Sequence, residues 1–224
     1  MIPDISDCFR LMAEYGMLPN IRRHSVMVAR VAHCLIAGLR QQGALISKLP
    51  DSSLVIAGAL LHDIAKTPCL RTGGDHALIG AEICEHLGYP EIARIVEEHV
   101  VLRDHDPQRN QRGVFTASEL IYYADKRVRH EEIVGLSARL DYILDRYSGG
   151  DPQIELRIRE NFVRCQALEH ALFSFLAFSA DQLAGLVHSA GERAPALLFS
   201  AEAAMAFAGG AKAGSQEGIR GDGP

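Results

Sequence analysis

Leu54-Val-Ile-Ala-Gly-Ala-Leu-Leu-His62-Asp63-Ile-Ala-Lys66 is the stretch around which the chain is organised. A run of small and branched apolar residues leads straight into a His-Asp pair and a lysine. A helix apolar on every side is a buried helix. A carboxylate carried at the end of such a helix is costly unless a cation neutralises it. A metal ion is one such cation, because imidazole and carboxylate together suit borderline-to-hard metals. The alternatives at this point are a buried ion pair, or a frayed helix end that returns His62 and Asp63 to water.

The chain has 224 residues, 48% hydrophobic and 23% charged, with nine prolines and no tryptophan. That length suits one generous domain or a domain with an appendage. A formal charge of −5 disfavours general nucleic-acid binding. No apolar run reaches the roughly 18 residues of a membrane span, and the opening Met1-Ile-Pro-Asp-Ile-Ser-Asp has no signal-like core. The five cysteines are scattered and form no Cys-x-x-Cys, as expected of ordinary thiols in a reducing cytoplasm.

Helical periodicity runs through nearly every segment, with no convincing alternating strand. Helices are expected over 4–14, 19–41, and from Ser52 to just after Lys66, where Pro68 is read as the stop. Further helices are expected over 76–87, 91–101, 116–127, 131–147 and 152–178. Asp104 to Gly113 reads as a polar loop, 180–208 as one or two weakly patterned helices, and 209–224 as a disordered Gly-rich tail. The domain reading is a core over 1–130, a helical extension over 131–208 packed on it, and the tail.

Ionisable residues interrupt the apolar stripes. His24 lies four residues before Val28 on the stripe Val28, Val31, Leu35, Leu39; His76 lies three before Ile79 on Ile79, Ile83, Leu87. His99 continues Ile92, Ile95, Val96, and Asp125 falls between Ile121 and Val128. Residues three or four apart share a helix face. Any one of these is read first as a hydrogen-bonded core residue. Six together need partners that the chain's few buried cations do not provide, and a metal cluster inside a helix bundle satisfies them all.

The order His24, His62-Asp63, Asp125 resembles the H…HD…D pattern of the HD-domain metal-dependent phosphohydrolase superfamily. Leu60-Leu-His-Asp-Ile-Ala-Lys66 looks like the HDIG motif with alanine replacing the glycine, and His76 and Glu97-Glu-His99 resemble the two further histidines of dinuclear members. The resemblance covers about 19–129. It implies an all-α helical bundle, here with additional C-terminal helices. It also implies one or two divalent ions, manganese or iron first, with magnesium, cobalt, nickel or zinc as alternatives. His24, His62, Asp63 and Asp125 would hold the first metal, and Asp63 would bridge to a second held by His76 and His99. Asp63 and Lys66 are the expected catalytic groups. Gly88-Tyr-Pro90 spells the letters that name the cyclic-di-GMP-cleaving branch, but no His-His-Glu or acidic-glycine run precedes it, so that branch is rejected.

The expected reaction is hydrolysis of a phosphate ester of a nucleotide or related small molecule. The alternatives are an HD-fold di-iron oxygenase and a catalytically silent helical signalling module. Arg23, Lys66, Arg103, Arg127 and Arg129 are the substrate-binding candidates, with Arg22, Arg71 and Lys126 as further basic residues near the proposed ligands. Lys66 has an alternative role in complementing a helix C-terminal dipole. Tyr122 and Tyr123 are read as core, and His105 as a loop residue near the mouth. Residues 131–178 are read as packing support and a possible homodimer surface. A small phosphorylated partner, no nucleic acid, no membrane and a cytoplasmic location complete the expectation.

Overall fold

The computed structural model describes residues 1–42 and 48–189; the expectations for 190–208 and for the tail lie outside them. The chain is all-α. Helix α1 (Ile5–Glu14) is capped by Asp4, whose side chain accepts from Asp7 N. Helix α2 (Pro19–Gln41) begins on a proline, where the missing N–H is not needed. Asp51 caps α3 (Ser52–Leu61), and Asp75 caps α5 (His76–His86). Helices α6 (Pro90–Glu98) and α8 (Ala117–Lys126) follow, the latter opened by a Thr116/Glu119 capping box.

Three local expectations are corrected. The helix expected to run past Lys66 ends at Leu61, turns through 62–65, and resumes as α4 (Lys66–Thr72). Pro68 is the reason: in a continuous helix its ring would collide with the Ile64 carbonyl, whereas in the first turn of a new helix it is tolerated. Lys66 therefore opens a helix and does not cap one, which removes its C-terminal dipole role. Within the expected loop at 104–113, Asp106 caps a short α7 (Pro107–Gln111). A hairpin of two-residue strands, β1 (Val128–Arg129) and β2 (Glu132–Ile133), precedes α9 (Leu136–Tyr147).

Helix α3 is the hub. Val55 to Leu61 are all buried, and the helix contacts α1, α2, α6 and α8. The stretch Ser52–Thr72, α3 and α4 together, is apolar enough to cross a membrane by length and composition alone, but 67% of its apolar window is buried inside the protein, as in a protein core. Gly58 lets α6 and α8 close on it, since a Cβ there would meet Ile95 and Ile121 Cδ1 at 2.8 Å. Gly80 does the same for α5 against α6, with Val96 Cγ1 at 2.8 Å. The fully buried face of α5 is accordingly Ala77, Gly80 and Cys84; of the expected stripe, Ile83 and Leu87 pack half-buried against the core and Ile79 is exposed.

Helix α10 (Pro152–Phe173), a 3-10 turn (Ala180–Gln182) and α11 (Leu183–Ser189) add Phe162, Cys165, Leu168, Leu172, Leu183 and Val187 to the same core. Arg127 ties them to α8. Its Nε donates to the Val134 carbonyl (2.6 Å), Nη1 to Glu169 (3.1 Å) and the Tyr123 hydroxyl, and Nη2 to the Ala180 carbonyl (3.0 Å). This corrects its expected substrate role: the side chain is 4% exposed and its donors are spent on the fold. Arg127→Met should lower unfolding stability by about 2–4 kcal/mol, because buried acceptors lose a charged partner. Denaturant unfolding checks this. Unchanged stability with a raised KM would return Arg127 to the substrate.

Candidate metal centre

The four expected helices and the α3–α4 turn deliver their polar residues to one place. His24 comes from α2, His62 and Asp63 from the turn, His76 from the start of α5, His99 from the end of α6, and Asp125 from α8. All but His76 are buried. Ligating atoms of His24, His62 and Asp63 lie within 4.8 Å of one another, as do those of Asp63, His76 and His99. Asp125 adjoins the first set, with Oδ1 at 3.0 Å from His24 Nε2 and 3.7 Å from His62 Nε2.

Asp63 stands between the two sets, one oxygen facing each. Oδ1 lies 3.3 Å from His76 Nε2 and 3.5 Å from His99 Nε2, while Oδ2 lies 3.5 Å from His62 Nε2. Three imidazoles are fixed through their other nitrogen. His62 Nδ1–H donates to the Ala59 carbonyl (2.7 Å), His99 Nδ1–H to Val96 (2.6 Å) and His24 Nδ1–H to His130 (3.0 Å). Such backbone bonds set the tautomer and leave Nε2 as a ligand. The His130 carbonyl is aimed by a left-handed backbone (φ 56°), uncommon for a non-glycine residue.

The donor set fits divalent ions. His62 Nε2 and Asp63 Oδ1 are buried without a hydrogen-bond partner, and the His76 and His99 Nε2 atoms face each other at 3.2 Å. Two lone pairs at that distance need a proton or a cation between them. A His/carboxylate set without sulfur accepts manganese, iron and their neighbours.

Charge around the two carboxylates is organised from outside. Burial would raise the Asp63 carboxyl, but Lys66 (Nζ–Oδ2 2.8 Å) and His62 hold it well below the usual carboxylate range. Burial would likewise raise Asp125, which Lys126, His24 and Arg139 hold well below it. Lys126 is buried, its Nζ donating to the His99 carbonyl (2.6 Å) and contacting Asp125 Oδ2 at 3.4 Å. It braces two ligand-bearing residues and does not face substrate.

The remaining basic candidates do not gather at the cluster. Arg23 pairs with Glu131 (2.5 Å), Arg129 with Glu132 (2.9 Å), and Arg103 with Glu97. These are surface pairs, and none of the three contacts a member of the cluster through the described ion pairs. Tyr122 and Tyr123 are fully buried core residues. His105 bonds Glu119 (3.2 Å) and lines a cleft of about 520 Å³ between α7 and α10, which shares no residue with the cluster. Sequence reading missed Arg139, on a helix read as packing support and a possible homodimer surface. Its Nη2 lies 3.8 Å from Asp125 Oδ1.

Two imidazoles of the metal-free protein should titrate apart. Burial pushes His99 down to about 4. Between about 6.5, where the unfolded ring takes its proton, and about 4, the unfolded chain holds a proton the folded chain refuses, so stability falls as pH falls. His62 is opposed by burial but raised on balance by Asp63 and Asp125. Its contribution is full below about 6.5 and is lost as pH rises through the raised value. NMR titration of metal-free protein should place His99 near pH 4 and His62 above 6.5. Both rings titrating near 6.5 would contradict their burial among these groups.

Comparison with known proteins agrees with this geometry. The HD domain family matches residues 21–148. A tRNA (cytidine(56)-2'-O)-methyltransferase of Thermoplasma volcanium is 27% identical over 149 residues, covering 60% of this chain and 41% of that protein. Ribonuclease Y of Acidothermus cellulolyticus is 30% identical over 144 residues, covering 62% of this chain and 27% of that enzyme. An uncharacterized protein of Methanocaldococcus jannaschii is 36% identical over 83 residues, 36% of this chain and 45% of that one. The chain thus spans less than half the length of these relatives, and no solved structure matches it. A family match over more than half the chain, on the helices that converge on His24, His62, Asp63 and Asp125, means that the chain belongs to the HD domain family.

Proposed function

We propose that the protein is a metal-dependent phosphohydrolase acting on a phosphate ester, with a nucleotide-like small molecule as substrate. One observation carries this reading: two three-residue sets of candidate ligands share Asp63, and His62 Nε2 and Asp63 Oδ1 within them are buried without a partner. His24, His62, Asp63 and Asp125 would hold one divalent ion, and Asp63, His76 and His99 a second. When bound, such ions activate water and stabilise charge on phosphoryl oxygens. Manganese or iron fits the donor set best. Lys66, 30% exposed and held by Asp63, can donate to a substrate oxygen from the same side. Backbone anchoring keeps the imidazoles of His24, His62 and His99 from turning away.

Ribonuclease Y among the relatives favours a second substrate class, an RNA phosphodiester. The chain's net charge of −5 weighs toward the smaller substrate. Phosphate release from a panel of nucleotides, phosphodiesters and short RNAs, with manganese or iron added to metal-free protein, tests the reading. Turnover without oxygen separates hydrolysis from oxygenase chemistry.

Asp63→Ala should abolish metal-dependent hydrolysis and remove the stabilisation that added metal gives the wild type; full activity in that variant would contradict the assignment. His76→Ala should retain about one metal ion per chain where the wild type holds about two, as measured by elemental analysis.

Lys66→Ala should cut kcat/KM by roughly 10²–10³-fold at full metal occupancy. It should destabilise metal-free protein more than metal-loaded protein, because without metal Asp63 loses its closest cation. Kinetics within about twofold of wild type would confine Lys66 to neutralising Asp63.

A further inference from the structure

Arg139 on α9 is 9% exposed. Its guanidinium donates no hydrogen bond to any described residue, and its Nε is buried without a partner. The approach of Nη2 to Asp125 Oδ1, at 3.8 Å, is beyond hydrogen-bonding reach. The other two cations around the carboxylates are committed. Lys66 is bonded to Asp63 at 2.8 Å, and Lys126 donates to the carbonyls of His99 (2.6 Å) and Val100 (3.2 Å).

Nor does Asp125 fill the donors of Arg139. Its close contacts are His24 at 3.0 Å and Lys126 at 3.4 Å, and Arg139 adds its charge at 3.8 Å without a hydrogen bond. A buried guanidinium nitrogen with an unfilled donor, as Nε is here, is costly. Here it is held in place all the same, by the Tyr142 ring 5.4 Å from its centre. Tyr142 in turn meets His130 edge-on at 5.3 Å. His130 is the residue whose carbonyl fixes His24. The hydrogen-bonding edge of Arg139 is thus positioned by the same segment that positions a metal ligand, and it is left without an acceptor.

A planar five-donor fork suits a tetrahedral oxyanion with two oxygens to offer.

We propose that Arg139 is the substrate-phosphate receptor of this site, taking oxygens of the phosphate group through its unfilled donors. This rests on reading the histidine–aspartate cluster as a phosphohydrolase metal centre. Lys66 then acts with a donor already shared with Asp63, so of the two Arg139 supplies the larger part of the affinity.

Calorimetric titration of inorganic phosphate into manganese-loaded wild type, Arg139→Gln and Arg139→Lys tests this, with metal content and melting temperature measured on each. Arg139→Gln should weaken phosphate binding roughly 10–100-fold at unchanged metal content. Arg139→Lys should lie between it and wild type, because the charge remains and the fork is lost. Phenylglyoxal labelling of wild type, read by mass spectrometry, provides a second measurement that needs no variant: phosphate should protect Arg139. Equal phosphate affinity in Arg139→Gln, or labelling that phosphate leaves unchanged, would overturn the inference while the phosphohydrolase reading stands. Loss of metal from Arg139→Gln would overturn it too, making Arg139 a positioning residue for Asp125. If metal-loaded wild type fails to bind phosphate, the phosphohydrolase reading falls, and this inference with it.

Discussion

A carboxylate at the end of a fully buried helix is the constraint on which the rest of the structure depends. Asp63 is 1% exposed, follows the apolar α3 directly, and has Oδ1 without a hydrogen-bond partner. An uncompensated buried charge of this kind costs several kcal/mol. The surrounding helices answer it: Lys66 from the following turn, and His62, His76 and His99 from three directions. Divalent ions would complete that compensation. Every ligand-bearing helix then has a reason to be where it is, since each brings a group that this carboxylate or its neighbour Asp125 requires.

The support of the centre is built into main-chain geometry more than into side-chain pairs. Backbone carbonyls of Ala59, Val96 and His130 orient three imidazoles. Gly80 permits the α5–α6 approach that sets His76 beside His99. Arg127 locks the end of α8 to Val134 just after β2, to α10 and to the turn at Ala180, two residues from Asp125 in sequence. A shift in any of these would move a ligand without touching it.

Much of this was legible in the sequence. His24, His99 and Asp125 extend apolar stripes that the structure buries, so helical spacing alone placed them inside. Helix starts were expected near residues 4, 52, 76 and 116, and Asp4, Asp51, Asp75 and Thr116 cap the helices that begin there. What failed has physical causes. Pro68 was read as a stop, although a proline fits equally well in a first turn, so the α3–α4 break was hidden. The most buried face of α5 was missed because close helix approach selects small residues, and Ala77, Gly80 and Cys84 carry little hydrophobic signal, although Ile83 and Leu87 do pack on the core as expected. Arg127, Lys126 and Arg139 look like solvated helix charges in sequence. Their burial depends on partners dozens of residues away, such as Glu169, which no periodicity reveals. The hairpin at 128–133 is too short for an alternating pattern to register.

The account is tested most directly by anomalous diffraction from crystals of protein purified without chelator, at wavelengths either side of the manganese and iron edges. It predicts an anomalous peak between His24, His62, Asp63 and Asp125, and a second, weaker one between Asp63, His76 and His99, each at ligand distance from the Nε2 atoms. Crystals grown with added manganese that show no peak there, with His62 Nε2 instead hydrogen-bonded to a carboxylate, would contradict it. The cluster would then be a buried ion-pair network and no metal centre.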